Sequence, residues 1–232
     1  MAKIIVALDG MSDEDALSLA EKLKGTGAIL KANDLLDGPQ GLGIIDTLSQ
    51  YAGVMDDAKL YDIPNTEENR VKKHAAHNPL FITVHASGEI AMMRKAVQNS
   101  GNSKILAVSV LTTMNEEECH LTFGAPVKAK VLQFARNAVL AGVYGLVCSA
   151  KELAFLSGYP EVACLKKFTP GIRPIWHLDP KDDQSRVTTP ADAVRMGADY
   201  IILGRPIVKA KDPVEAVRLT QQEIDQALAA MK

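Results

Sequence analysis

IIVALDGMSDEDALSLAEKLKGTGAILKA, residues 4–32, is the stretch that decides the fold. Short apolar runs stand at its two ends, IIVALD at 4–9 and AILKA at 28–32, while its middle is amphipathic with a helical period. Ser12 occupies the position of a helix N-cap, and Gly25 the position of a stop. Run, helix and run in this order predict a parallel βαβ unit, because parallel strands need a crossover of helical length.

The alternation continues along the chain. Further runs are GVMDDAK (53–59), FITVHA (81–86), KILAVSV (104–110), YGLVCSA (144–150), ACLKKFTP (163–170) and YIILGR (200–205). Helical patterns between and after them include AKVLQFARNAVLAG, closed by Gly142, and DPVEAVRLTQQEIDQALAAMK, with Asp212 as cap and Pro213 at the first helical position. Eight strand–helix repeats in 232 residues predict one (β/α)8 barrel domain over 1–232. A doubly wound open sheet is the rival arrangement. Aliphatic and alanine residues dominate the runs and aromatics make up only 5%, as suits strands covered on both faces.

Composition narrows the function. A net charge of -2 with no long basic run argues against a nucleic-acid partner. No apolar stretch approaches the roughly 20 residues of a membrane span. The first residues, MAKIIVALDG, enter a strand without a signal-peptide core, so a cytoplasmic location is expected. Cys119, Cys148 and Cys164 are odd in number and lack C-x-x-C spacing, which reads as buried free thiols. No fingerprint for a flavin, nicotinamide or metal is present, so no cofactor is expected.

Polar residues gather at the ends of the apolar runs: Asp9, Lys31, Asp57 with Lys59, His85, Thr112, Gly171 with Arg173, and Gly204 with Arg205. In a (β/α)8 barrel those ends face the active site. Asp57 and Lys59, two apart in a strand, are expected to share a face and point into the barrel mouth. Asp62 lies on the loop beyond, and Lys31 and Asp9 close the neighbouring strands. Interleaved lysines and carboxylates can hold a proton and a positive charge where a carbanion develops. A surface salt-bridge cluster is the plainer alternative. TPGIRP (169–174) and LGRPI (203–207) expose backbone N–H groups beside an arginine fork, a pattern suited to phosphate after strands seven and eight. Between them IWHLDPKDDQSRV (175–187) reads as a lid carrying Gln184. His74, His77 and His120 read as surface residues, and His85 as a structural, hydrogen-bonded strand-end side chain.

Taken together, VALD (6–9), LKA (30–32), D-x-K-x-x-D-I-P-N-T (57–66), VHASG (84–88), VLTTM (110–114), GLVCSA (145–150), TPGIRP, DQ-x-RV (183–187) and LGRPI resemble the orotidine 5'-monophosphate decarboxylase family nearly end to end. The resemblance implies a cofactor-free barrel that works as a homodimer. It implies that Lys59 protonates C6 of the pyrimidine, with Lys31, Asp57 and Asp62 completing a charged network and Asp62 coming from the partner subunit. It further implies that Asp9 and Lys31 bind the ribose, with Thr66 from the partner. Thr112 or Thr113 would meet the pyrimidine, and Gln184, Gly204, Arg205 and the Arg173 loop would hold the phosphate. The chain departs from the family pattern at Ala32, which is expected to tighten the pocket, and at Thr113, Glu89 and Tyr61. A metal-dependent sugar-phosphate lyase and a non-catalytic nucleotide-binding barrel are the competing functions.

Overall fold

The computed structural model describes residues 2–177 and 188–231. Eight parallel strands, β1 (Lys3–Ala7), β2 (Ile29–Ala32), β3 (Val54–Leu60), β4 (Phe81–His85), β5 (Lys104–Val108), β6 (Gly145–Val147), β7 (Lys166–Thr169) and β8 (Tyr200–Leu203), pair in chain order. The pairing of β1 with β8, Ile5 opposite Ile202, closes the barrel and excludes the open sheet. Around it lie α1 (Asp13–Leu23), α2 (Gly43–Leu48), α3 (Pro64–Ala75), α4 (Glu89–Asn99), α5 (Glu116–Phe123), α6 (Val127–Ala141), α7 (Ala150–Leu156), α8 (Pro190–Arg195), α9 (Arg205–Val208) and α10 (Pro213–Ala229).

Local chemistry sets the ends of these helices. The Ser12 hydroxyl accepts the Asp15 N–H at 3.1 Å, and Asp212 accepts both Val214 and Glu215 N–H at 3.0 Å. Gly142 ends α6 with φ +79°, a conformation that costs glycine nothing. The run at 144–150 yields only a three-residue strand, because Ser149 turns aside to cap α7.

Alternation along the strands builds two apolar layers. Ile4, Val6, Leu30, Val54, Ile82 and Ile105 face the helices. Ile5, Ile29, Met55, Leu106 and Ile202 fill the barrel interior. Aromatic rings close the end of the barrel where the strands begin. Phe168 stacks on Tyr200 with centroids 4.1 Å apart, and Phe81 meets both rings edge-on at 5.0 and 5.4 Å. Gly145 makes room for them, since a Cβ there would stand 2.6 Å from the Phe168 ring and 2.8 Å from the Lys166 carbonyl oxygen. With one end plugged, open space is left at the C-terminal ends of the strands.

Several expectations are corrected. Cys164 is exposed, while Cys119 and Cys148 are buried. His74 is not a surface residue: its ring packs under α3 and pairs with the buried Asp56 at 2.6 Å. Ala32 belongs to the layer beneath the helices rather than to the pocket, because β2 directs Lys31 inward and its neighbour outward. Glu89 adopts φ +66°, ψ 179°, a region that only glycine enters without strain, and its carboxylate accepts the Asn137 amide at 2.9 Å. Among the described residues no helix is long and apolar enough to cross a membrane.

Candidate active site

A cavity of about 630 Å³ opens at the C-terminal ends of the strands. Its floor is apolar, formed by Met55, Val108, Val147 and Ile202. One wall carries Asp9, Lys31, Asp57 and Lys59. Gly171, Arg173, Gly204 and Arg205, after β7 and β8, also line it, next to the β1 end of that wall, and Thr112 lines it after β5.

The charged wall is a continuous alternating array. Lys31 Nζ donates to both Asp9 oxygens at 2.6 and 2.9 Å and lies 2.9 Å from Asp57 Oδ2. Lys59 Nζ reaches the same Asp57 oxygen at 2.8 Å. Lys31 and Asp57 are 6% and 9% exposed, against 33% for Lys59 and 50% for Asp9, so the array is dry at its centre and open at both ends. Burial alone would push the Lys31 ammonium down, but the Asp57 and Asp9 carboxylates outweigh it and hold Lys31 above the ordinary lysine value. A single Asp57 oxygen thus serves two ammonium groups, while Oδ1 accepts the Thr83 hydroxyl at 3.1 Å. Buried ions of this kind persist only when every charge is met.

Asp57 and Lys59 do converge, but not through simple strand alternation. β3 pairs with β4 at Asp56↔Ile82 and again at Leu60↔Val84, so residues 57–59 lie opposite Thr83 alone. This bulge puts Lys59 in the left-handed region, at φ +48°. Such a conformation costs a residue with a side chain about 1–3 kcal/mol and needs its surroundings to enforce it. Three hydrogen bonds do so: Lys59 N–H to Thr83 Oγ1 at 2.8 Å, Ala58 N–H to Asp56 Oδ1 at 3.2 Å, and the Asn33 amide to the Asp57 carbonyl at 2.6 Å. Bulges re-aim side chains beside active sites.

The other expected site residues fall differently. Asp62 and Thr66 lie outside the cavity of their own chain. Asp62 accepts the Ile63 N–H at 2.8 Å and stands 3.9 Å from Arg70, with Tyr61 and Ile63 exposed on either side of it. Thr113 does not line the cavity, whereas Thr112 does. Gln184 lies outside the described residues. His85 has no hydrogen bond among the described residues; it meets the Tyr61 ring edge-on, and burial together with the Lys59 charge lowers its pKa. Sequence reasoning missed Thr83, Asn33 and Asp56, which hold the bulge, and Lys209, which lines the cavity. Thr83, a hydroxyl inside an otherwise apolar run, carried a signal, because a fully buried hydroxyl needs a partner.

A closed (β/α)8 barrel whose interleaved charges share one cavity with an arginine-bearing loop pair defines a TIM-barrel enzyme built for a small anionic substrate. Residues 2–220 match the family model described as orotidine 5'-phosphate decarboxylase / HUMPS family. The chain is 36% identical over 229 residues to an orotidine 5'-phosphate decarboxylase of Alkalilimnicola ehrlichii, covering 96% of each. It is 37% identical over 237 residues to that of Gluconobacter oxydans, covering 97% of this chain and 98% of the relative. Among solved structures, the orotidine 5'-phosphate decarboxylase of Lactobacillus acidophilus superimposes with a TM-score of 0.83 at 30% identity, over 97% of this chain and all of the other. The chain belongs to the orotidine 5'-phosphate decarboxylase / HUMPS family.

Proposed function

We propose that this chain decarboxylates orotidine 5'-monophosphate to uridine 5'-monophosphate and CO2, the last step of de novo pyrimidine nucleotide synthesis. The observation that carries this is the Asp9–Lys31–Asp57–Lys59 array lining one cavity together with Arg173 and Arg205. The phosphate sits against Arg205, the Gly204 amide and the Arg173 loop, joined by Gln184. The pyrimidine lies over the apolar floor beside Thr112, and Asp9 and Lys31 take the ribose hydroxyls.

The C6–carboxylate bond breaks, CO2 leaves, and the bonding electron pair stays on C6. The Lys59 ammonium gives its proton to C6, and the neutral amine recovers one from solvent, so each turnover consumes one proton. No cofactor enters this balance. Lys31 and Asp57 keep a positive charge fixed where the carbanion develops, which in a water-poor site is worth far more than in bulk water. Grip on the remote phosphate supplies binding energy that supports the step at C6. Asp62 and Thr66 complete the site from the second subunit of a homodimer. Their position off their own cavity, among exposed Tyr61 and Ile63, supports this assignment. The setting is cytoplasmic.

The test is the ultraviolet absorbance lost as orotidine monophosphate becomes uridine monophosphate. Lys59→Ala is expected to lower kcat by about 10²–10⁴-fold, the range for a positioned general acid, with the fold retained. Full turnover by that variant overturns the proposed role. Turnover that disappears with a chelator points instead to a metal-dependent sugar-phosphate lyase.

A further inference from the structure

We infer that Asp56, on the outer face of the barrel wall, is a positioning residue for Lys59, acting together with His74 of α3. This rests on the role proposed for Lys59. The outward positions of β3 on either side of Asp56, Val54 and Leu60, are apolar and fully buried in the layer beneath the helices. A carboxylate in the same row, at 0% exposure, is costly to desolvate and adds nothing to packing. Its hydrogen bonds explain it. Oδ2 faces His74 Nδ1 at 2.6 Å, and Oδ1 accepts the Ala58 N–H at 3.2 Å.

Ala58 is the centre of the bulge. The register shift takes residues 57–59 out of the β4 ladder, so the Ala58 amide relies on the Asp56 side chain. His74 fixes the carboxylate from the helix side, the carboxylate fixes Ala58, and Thr83 fixes the next amide, that of Lys59, from the barrel side. Clamped on both faces, the backbone holds Lys59 at φ +48° and its ammonium 2.8 Å from Asp57. With the outer clamp gone, the strained residue is released toward an extended conformation, which turns the ammonium away from the reacting carbon.

Four variants test this: Asp56→Ala, Asp56→Asn, His74→Ala and Lys59→Ala. Asp56→Ala is expected to lower kcat on the order of 100-fold, the cost of misplacing a reacting group by about 1 Å. Affinity for uridine monophosphate stays unchanged, and in the variant's crystal structure Lys59 Nζ lies beyond hydrogen-bond reach of Asp57. Asp56→Asn keeps an oxygen for the Ala58 amide and recovers most of kcat. Should Asp56→Ala fail to fold, His74→Ala, which leaves Oδ1 in place, carries the test with an expected several-fold loss of kcat and no loss of nucleotide affinity. Full kcat in a folded Asp56→Ala or His74→Ala protein overturns the inference. So does equal loss in the Ala and Asn variants, or a parallel loss of nucleotide affinity. Full turnover by Lys59→Ala strikes the proposed role of Lys59 instead, and the Lys59–Asp57 distance in the Asp56→Ala crystal then decides the positioning alone.

Discussion

Glu67, in the first turn of α3, is fully buried, and among the described residues neither carboxylate oxygen has a hydrogen-bond partner. Burial pushes its carboxyl from an ordinary value of 4.5 up to about 7; Arg70 and His74 offset part of this, and Asp62 adds to it. The folded chain therefore holds a proton that the unfolded chain has already released between those two values. The contribution of Glu67 to stability is greatest below pH 4.5, falls as pH rises, and reaches its full penalty above 7. At about 1.4 kcal/mol per pH unit, the full penalty is roughly 3 kcal/mol, most of which develops between pH 5 and pH 8. Glu67→Gln keeps the shape and removes the titration. Urea unfolding of both proteins at pH 5 and pH 8 isolates the effect, because every other titrating group is shared. The parent is expected to lose about 2–3 kcal/mol more than the variant over that interval, or on the order of 5–10 °C in Tm for a domain of this size. Parallel pH dependence in the two proteins refutes the reasoning.

Four further outcomes are expected. Arg205→Ala weakens uridine monophosphate binding by about 1.5–3 kcal/mol, the worth of a charged hydrogen bond, and raises KM more than it lowers kcat. Lys59→Ala and Asp62→Ala, each inactive alone, regain activity on mixing, to at most about a quarter of the parent's, because one site in each mixed dimer is whole; no recovery places Asp62 in its own chain's site. Gly145→Ala destabilises the fold by about 1–3 kcal/mol in thermal unfolding, since its methyl would overlap the Phe168 ring and the Lys166 carbonyl. At pH 7.5 a thiol reagent labels exposed Cys164 quickly and spares Cys148, whose thiol burial pushes up to about 12, as intact mass will show.

The barrel was legible because its signal is repetitive: strand-length apolar runs, capped helices between them, and charge at the run ends. Strand boundaries were less so. Where Ser149 caps α7, a seven-residue apolar run gives three residues of strand. The array of Asp9, Lys31, Asp57 and Lys59 was legible because acids and bases at the ends of buried strands have few other uses. The device that aims Lys59 was not, because a bulge with a left-handed non-glycine residue has no local composition cue. His74 looks like a surface residue in the sequence because pairing with Asp56 depends on how α3 lies against β3, which sequence spacing does not encode. The unpartnered carboxylate of Glu67 was hidden in the same way, on a helix face that looks polar until it is packed.

The ring cluster of Phe81, Phe168 and Tyr200 stops one end of the barrel, so that among the described residues the cavity opens at the other. On the function proposed above, a nucleotide held by its phosphate at that mouth would also be the cork, so a gas formed beneath it would have to slip past a molecule still in place. On the reaction proposed above, the shape of the container would let the smaller product go ahead of the larger one, and a burst of CO2 ahead of nucleotide release in a single turnover is the expected sign.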